Sequence, residues 1–248
     1  FVFLIVWELG EENPIVDIRL FGRRNFAVGC LSVSLGFMLY FSAVVLLPLL
    51  LQTHMGYTAY RAGLAAAPIG FFSLLLAPVL GKNAHRLDMR VIVTISFLVF
   101  SMCFFWRTRF SPDMDFRFVV WPQFIQGIAV AFFFMPLTSI LLSGLKPDQV
   151  AGASSLSSCV RVLCGSIGTS LTTTLWERRE ILHHARLTER ITEFDAGTAE
   201  TFARLADLGF SRDMSLEYIA KEITRQGYIL GSGELFWLGG VLFLLLII

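Results

Sequence analysis

The sequence predicts an all-α fold, a polytopic membrane helix bundle carrying a helical extramembrane insert. Three observations predict it. Charges vanish from long stretches: from Phe26 to Leu51, 26 consecutive residues include no Asp, Glu, Lys or Arg. At about 1.5 Å of rise per residue such a run crosses roughly 30 Å of hydrocarbon as a helix, which satisfies its own backbone in lipid. Hydrophobic residues make up 55% of the chain and charged residues only 16%, against about 25% charged in soluble domains. The one long polar segment carries helical rather than strand periodicity.

In chain order, residues 1–7, Phe-Val-Phe-Leu-Ile-Val-Trp, read as the end of a spanning helix that starts upstream, and 8–25 as a cytoplasmic linker. Residues 26–176 hold five full transmembrane helices, on the runs Phe26–Leu51, Ala62–Leu80, Val91–Trp106, Phe118–Leu145 and Val150–Trp176. Prolines 48, 68, 78, 122 and 136 mark kinks, which membrane bundles tolerate. Residues 177–231 form an extramembrane helical loop, and 232–248 a truncated last transmembrane helix. The apolar run Leu235–Ile248 has 14 residues, short of the roughly 20 that span.

Basic residues set the orientation. Alternate loops carry Arg19, Arg23, Arg24, Lys82, Arg86, Arg90 and Lys146 on one side, against Arg61, Arg107, Arg109 and Arg117 on the other. The positive-inside rule places the richer set in the cytoplasm and the long loop outside it. Within that loop, Leu187, Ile191 and Phe194 recur at i, i+4, i+7, and Leu216, Ile219 and Ile223 at i, i+3, i+7. Both are amphipathic helix patterns, with Ser215 as an N-cap and Gly227 as a stop for the second. They read either as a cap folded back on the bundle or as a docking surface for a partner.

The chain carries no phosphate-binding Gly-Lys-Ser/Thr loop, no zinc motif and no nucleophile elbow. An enzyme, a direct ATP consumer, a bound cofactor and a nucleic-acid partner are therefore not expected. His183-His184 has no companions at ligand spacing, so no metal is expected either. All four cysteines fall in spans and read as small buried hydrophobes, and Cys159 and Cys164 on one helix are badly placed for a disulfide. If the protein moves solute, an ion gradient is the energy source.

Candidate residues are those polar groups that lipid makes expensive. Arg161 lies near the middle of Val150–Trp176, where a cation costs at least a few kcal/mol and must face protein or a water-filled cavity. It shares a helical stripe with Ser154, Ser158, Gly165, Gly168 and Thr172, with Leu156, Val160, Leu163, Ile167 and Leu171 opposite. Close helix packing through the small residues is the competing reading for the stripe, and a structural ion pair or a carbonyl clamp for Arg161. Gln123 and Gln126, at i, i+3, share a face and need partners. Phe37 and Tyr40 offer an aromatic surface, or simply pack. The turn Gly81–Arg90, with Arg86, Asp88 and Arg90, is positive-inside charge or a gate whose pairs form in one state only.

Taken in order, Pro14-Ile-Val-Asp-Ile-Arg-Leu-Phe-Gly-Arg-Arg-Asn-Phe26, Met55-Gly-Tyr57, Ala62-Gly-Leu-Ala65, Ala67-Pro-Ile-Gly70, Leu87-Asp-Met-Arg90, Pro122-Gln-Phe-Ile-Gln-Gly127 and Gly165-Ser-Ile-Gly-Thr-Ser170 resemble a known set. It is that of the C-terminal part of EmrB/QacA-type drug:proton antiporters, fourteen-spanner members of the major facilitator superfamily, and among them the EmrB branch. The resemblance implies the C-terminal half of a facilitator fold, with 177–231 as a periplasmic loop. It implies a bacterial inner membrane, proton-driven export of hydrophobic or amphiphilic toxic compounds, a periplasmic membrane-fusion adaptor and an outer-membrane channel. Arg161, Gln123, Gln126, Ser158, Phe37 and Tyr40 are then cavity candidates, and Arg86, Asp88 and Arg90 gate candidates. The turn departs from the superfamily's Gly-x-x-x-Asp-Arg-x-Gly-Arg loop by having Asp88-Met89 in place of Asp-Arg. Export of a defined amphiphile, a fatty acid or bile salt, is the alternative within the class; a non-transporting membrane scaffold or sensor is the alternative outside it.

Overall fold

A computed structural model describes residues 18–83, 88–192 and 195–247. Among these, the regular structure is all helical. After a short 3-10 turn at Ile18–Gly22 come α1 (Arg24–Thr53), α2 (Ala59–Ala66), α3 (Pro68–Asn83), α4 (Met89–Arg107), α5 (Phe116–Leu142), α6 (Pro147–Arg190), α7 (Ala196–Asp207) and α8 (Arg212–Leu245). Six stretches are long and apolar enough to cross a membrane, α2 and α3 counting as one. The break between those two falls at Ala67, whose own backbone angles are helical; Pro68 brings no N–H to carry the hydrogen-bond ladder across it.

The helix starts follow local chemistry. Thr58, Asp88, Asp195 and Ser211 each accept a hydrogen bond from a backbone N–H of the first turn that follows, and Pro147 opens α6, where its missing N–H costs nothing. This corrects the reading of the insert. The N-cap of α8 is Ser211, whereas Ser215 is a buried residue inside the helix. Gly227 does not stop the helix either. It is buried inside α8 against α6, where a Cβ would stand 3.4 Å from Glu180, an ordinary contact distance. Consequently α6 and α8 run unbroken from the bundle into the polar segment. There Leu187 of α6 and Ile191, its C-cap, line a groove with Ile219 and Ile223 of α8, while Phe194 lies outside the described residues.

Around the bundle, α1 packs on α6, α6 on α8, α8 on α4, α4 on α5 and α5 back on α1, closing a ring; α3 sits outside it against α5. Between helices, lipid tails supply little hydrophobic drive, so fit and polar contacts decide. Glycines permit the fit. A Cβ on Gly127 would stand 2.6 Å from the Ile69 carbonyl oxygen, and one on Gly239 2.5 Å from the Phe104 ring. Serines supply the polar contacts: Ser73 donates to the Gly127 carbonyl at 2.9 Å, Ser96 to Ala129 at 2.7 Å and Ser101 to Gly240 at 2.9 Å. The centre is aromatic, with Phe100 and Phe243 stacked at 4.8 Å and Phe97, Phe104 and Phe133 around them.

Candidate functional site

Pro122 lies inside α5, one residue before the first of the two glutamines. Gln123 and Gln126 both point inward from α5, 3% and 1% exposed. The partner of Gln126 is a residue the sequence reading assigned to an outer loop. Arg107 occupies the last turn of α4, is 1% exposed, and donates from Nη2 to Oε1 of Gln126. Its guanidinium lies over the rings of Phe104 and Phe236, at 5.5 and 5.7 Å. Arg107 was missed because it ends a charge-free run, where a loop is the simplest inference. The signal was its spacing: Phe100, Phe104 and Arg107 repeat at i, i+4, i+7, so Arg107 continues the buried stripe of α4.

On the other side of α1, Gly165 and Gly168 of α6 pack directly against it. A Cβ on Gly165 would lie 2.8 Å from Phe37 and one on Gly168 2.4 Å from Met38. That contact brings Arg161 over the Phe37 ring at 5.4 Å and the Phe134 ring at 5.6 Å. Its buried Nε has no hydrogen-bond partner, and the ion pair entertained for it is absent among the described residues. The stripe on α6 separates less cleanly than its spacing suggested. Leu163, Ile167 and Leu171 are exposed, but Leu156 is buried in a cluster with Phe26 and Cys30. Ser158, the remaining cavity candidate on α6, is exposed.

Phe37 and Tyr40 join the two cations. Phe37 touches Phe134 at 5.9 Å and Tyr40 at 6.4 Å, and Tyr40 touches Phe134 at 6.3 Å. Tyr40 also lines a cavity of about 80 Å³ with Arg107, Gln123 and Gln126. The structure thus brings Arg161, Phe37, Tyr40, Gln123 and Gln126 into one connected group, adds Arg107 and Phe134, and leaves Ser158 aside. Such a group offers π faces, hydrogen-bond donors and two cations.

The gate candidates are resolved in part. Asp88 is exposed and caps α4 by accepting from the Arg90 N–H at 3.0 Å. Arg90 lines a cleft with Arg24 and Asn25 of α1, and Arg86 lies outside the described residues. At the opposite end, His54 stacks on Tyr228 at 4.0 Å and meets Trp176 edge-on at 5.5 Å, and its carbonyl accepts from Arg225 at 2.8 Å. Burial first, and the Arg225 charge second, hold the His54 imidazole below its ordinary pKa. His183 of the paired histidines contacts Glu234 at 3.1 Å, which Arg179 also meets at 3.2 Å.

Comparison with known proteins agrees with this architecture. The profile of the Major Facilitator Superfamily matches residues 7–169. The multidrug export protein EmrB of Escherichia coli K12 is 54% identical over 246 residues, 99% of this chain and 48% of EmrB. The fatty acid resistance protein FarB of Neisseria gonorrhoeae is 53% identical over 245 residues, again 99% of this chain and 48% of the relative. The EmrB of Haemophilus influenzae is 49% identical over 248 residues, 100% of this chain and 49% of the relative. The chain therefore spans about half the length of the relatives it matches. With six spanning stretches and a family match over most of its length, this chain belongs to the Major Facilitator Superfamily, as a multi-pass protein of the bacterial inner membrane.

Proposed function

We propose that this chain is the C-terminal half of a proton-driven exporter of hydrophobic or amphiphilic drugs and toxic compounds. The observation that carries the reading is the extent of the match: 54% identity with a multidrug export protein across 99% of the chain. The joined group of Arg161, Phe37, Tyr40, Gln123 and Gln126 supports it as one wall of the substrate cavity, because aromatic faces beside fixed donors suit amphiphiles of varied shape. Asp88, Arg90 and Arg86 then belong to the cytoplasmic gate, and residues 177–231 to a periplasmic loop that meets a membrane-fusion adaptor and, through it, an outer-membrane channel. The chain acts on its substrates by carriage, not by catalysis.

Energised cells expressing the complete gene test this. Ethidium should leave them against its gradient, and a protonophore should stop it. Accumulation equal to that of cells lacking the gene, at equal membrane levels, rejects the reading. A narrower reading, export of a fatty acid, has its own support in the 53% identity with FarB. It predicts efflux of a labelled fatty acid without efflux of ethidium.

A further inference from the structure

The cavity beside Arg107 carries an inference that rests on the export reading and narrows its substrate class. Of the three guanidinium nitrogens of Arg107, only Nη2 has a hydrogen-bond partner; Nε and Nη1 are buried without one. Nε2 of Gln123 is buried without one as well. Both side chains line the same cavity of about 80 Å³. Buried donors are nearly always satisfied, and a cation at membrane depth is nearly always compensated. Three idle donor nitrogens on two residues of one small cavity therefore call for an acceptor. Among the described residues no Asp or Glu lines the cavity, the Tyr40, Gln123 and Gln126 oxygens there make no hydrogen bond to these three nitrogens, and the Phe104 and Phe236 rings steady the charge without accepting a conventional hydrogen bond.

The size and the remaining walls limit what that acceptor is. A water needs about 10–15 Å³ of such volume, so the cavity has room for a few waters or one planar head group. Its other walls are mainly apolar, including Ala43, Val44, Leu47 and Pro48 of α1. Val44 is 38% exposed, so this side of α1 is open. From Tyr40 the aromatic wall continues to Phe37 and Phe134. A charged acceptor at one end and a greasy surface running away from it match a molecule with an anionic head and an apolar tail.

We propose that Arg107 and Gln123 form a head-group subsite for carboxylate-bearing amphiphiles. Gln126 orients the guanidinium through its amide oxygen, and Tyr40 begins the wall along which the tail lies. Arg107 is a specificity residue on this view, since it rewards a carboxylate over an uncharged group of the same length.

The test uses the full-length protein in lipid nanodiscs, with lauric acid and methyl laurate as probes. Wild type should prefer the acid by about tenfold or more, as charge-assisted hydrogen bonds imply. Arg107→Gln should bring the acid-to-ester ratio close to one, Arg107→Lys should keep part of the preference, and Gln123→Leu should reduce it less than Arg107→Gln does. If Arg107→Gln fails to fold, Gln123→Leu and Arg107→Lys read the same ratio. Equal binding of acid and ester by wild type overturns the proposal, and so does a preference that survives both Arg107→Gln and Gln123→Leu. Loss of both ligands in parallel also overturns it, making Arg107 a structural residue. A carboxylate from the rest of the full-length protein filling the cavity would give unselective wild-type binding and counts against it equally. Ethidium efflux by wild type separates the two readings: efflux without acid preference removes the subsite alone, whereas no efflux of ethidium or lauric acid removes the export reading with it.

Discussion

Two arginines show how a single side chain lives inside this bundle. Arg107 is fixed by Gln126 and two rings, while Arg161 rests between the Phe37 and Phe134 rings. Cation–π contacts give about 2 kcal/mol when desolvated, enough to hold Arg161 in place but not to bind its remaining donors. Arg161→Lys keeps the charge and loses the planar fork that stacks on rings. We expect normal membrane levels and reduced ethidium export from that variant; export equal to wild type from Arg161→Ala at equal expression would remove Arg161 from the cavity. His54 gives a pH prediction. Its folded pKa lies below the ordinary value of about 6.5, so an opened state binds the proton more readily than the packed one. The packing of α1 against Trp176 and Tyr228 is then fully stabilised above about pH 6.5 and loses that stabilisation as pH falls through the folded pKa. Arg225 is the charged neighbour that opposes protonation. Acidification should raise hydrogen exchange near Trp176, and His54→Gln should remove that dependence; identical pH profiles for the two proteins would contradict the assignment.

Between elements, glycine and serine decide where helices meet. The α1–α6 contact depends on Gly168, where a Cβ would lie 2.4 Å from Met38 Cγ and 2.9 Å from the Met38 carbonyl oxygen. A carbonyl cannot rotate away as a side-chain end can. Gly168→Leu should therefore destabilise the bundle by about 1–3 kcal/mol through overpacking, and separate Arg161 from the Phe37 ring. Gly152 is the control, since nothing stands within 4 Å of a Cβ there. Thermal unfolding in detergent should show a lower midpoint for Gly168→Leu and an equal or higher one for Gly152→Ala, since alanine is the better helix former. Equal midpoints for Gly168→Leu and wild type would mean that α1 and α6 are not held this closely.

Over the whole molecule, the distribution of acids separates binding from coupling. Between residues 26 and 176 the acids are Asp88, Asp113, Asp115 and Asp148, and no Glu occurs. Each of these aspartates stands at a helix start or in a connection. A proton-coupled carrier needs a group inside the membrane that gains and loses a proton, and facilitator-type cavities lie between two halves. Residues 1–248 reconstituted alone should accordingly show no substrate-induced proton movement in vesicles, whereas the full-length protein should. Proton movement by the fragment would relocate coupling to this half, with Glu234 and His183 the first groups to examine.

The sequence by itself determined the class of this protein. Charge-free runs longer than a bilayer is thick have few solutions other than spanning helices, so the spans Phe26–Leu51, Val91–Trp106 and Phe118–Leu145 were legible, as was the helical nature of the insert. Spacing also put Gln123 and Gln126 on one face of α5, and Gly165 and Gly168 on one face of α6. Tertiary structure decided what those faces meet. Arg107 was read as a loop cation because a linear window cannot tell a helix end from a buried last turn; only the packing of α5 and α8 around α4 buries it. Ser215 and Gly227 were read as a cap and a stop because both residues do those jobs in isolation. Pairing α6 with α8 carries both helices on into the polar segment, and the cap falls at Ser211. Local propensity sets where a helix can begin or end, but burial against a neighbour sets where it does, because packing energy over several turns exceeds the preference of any one residue.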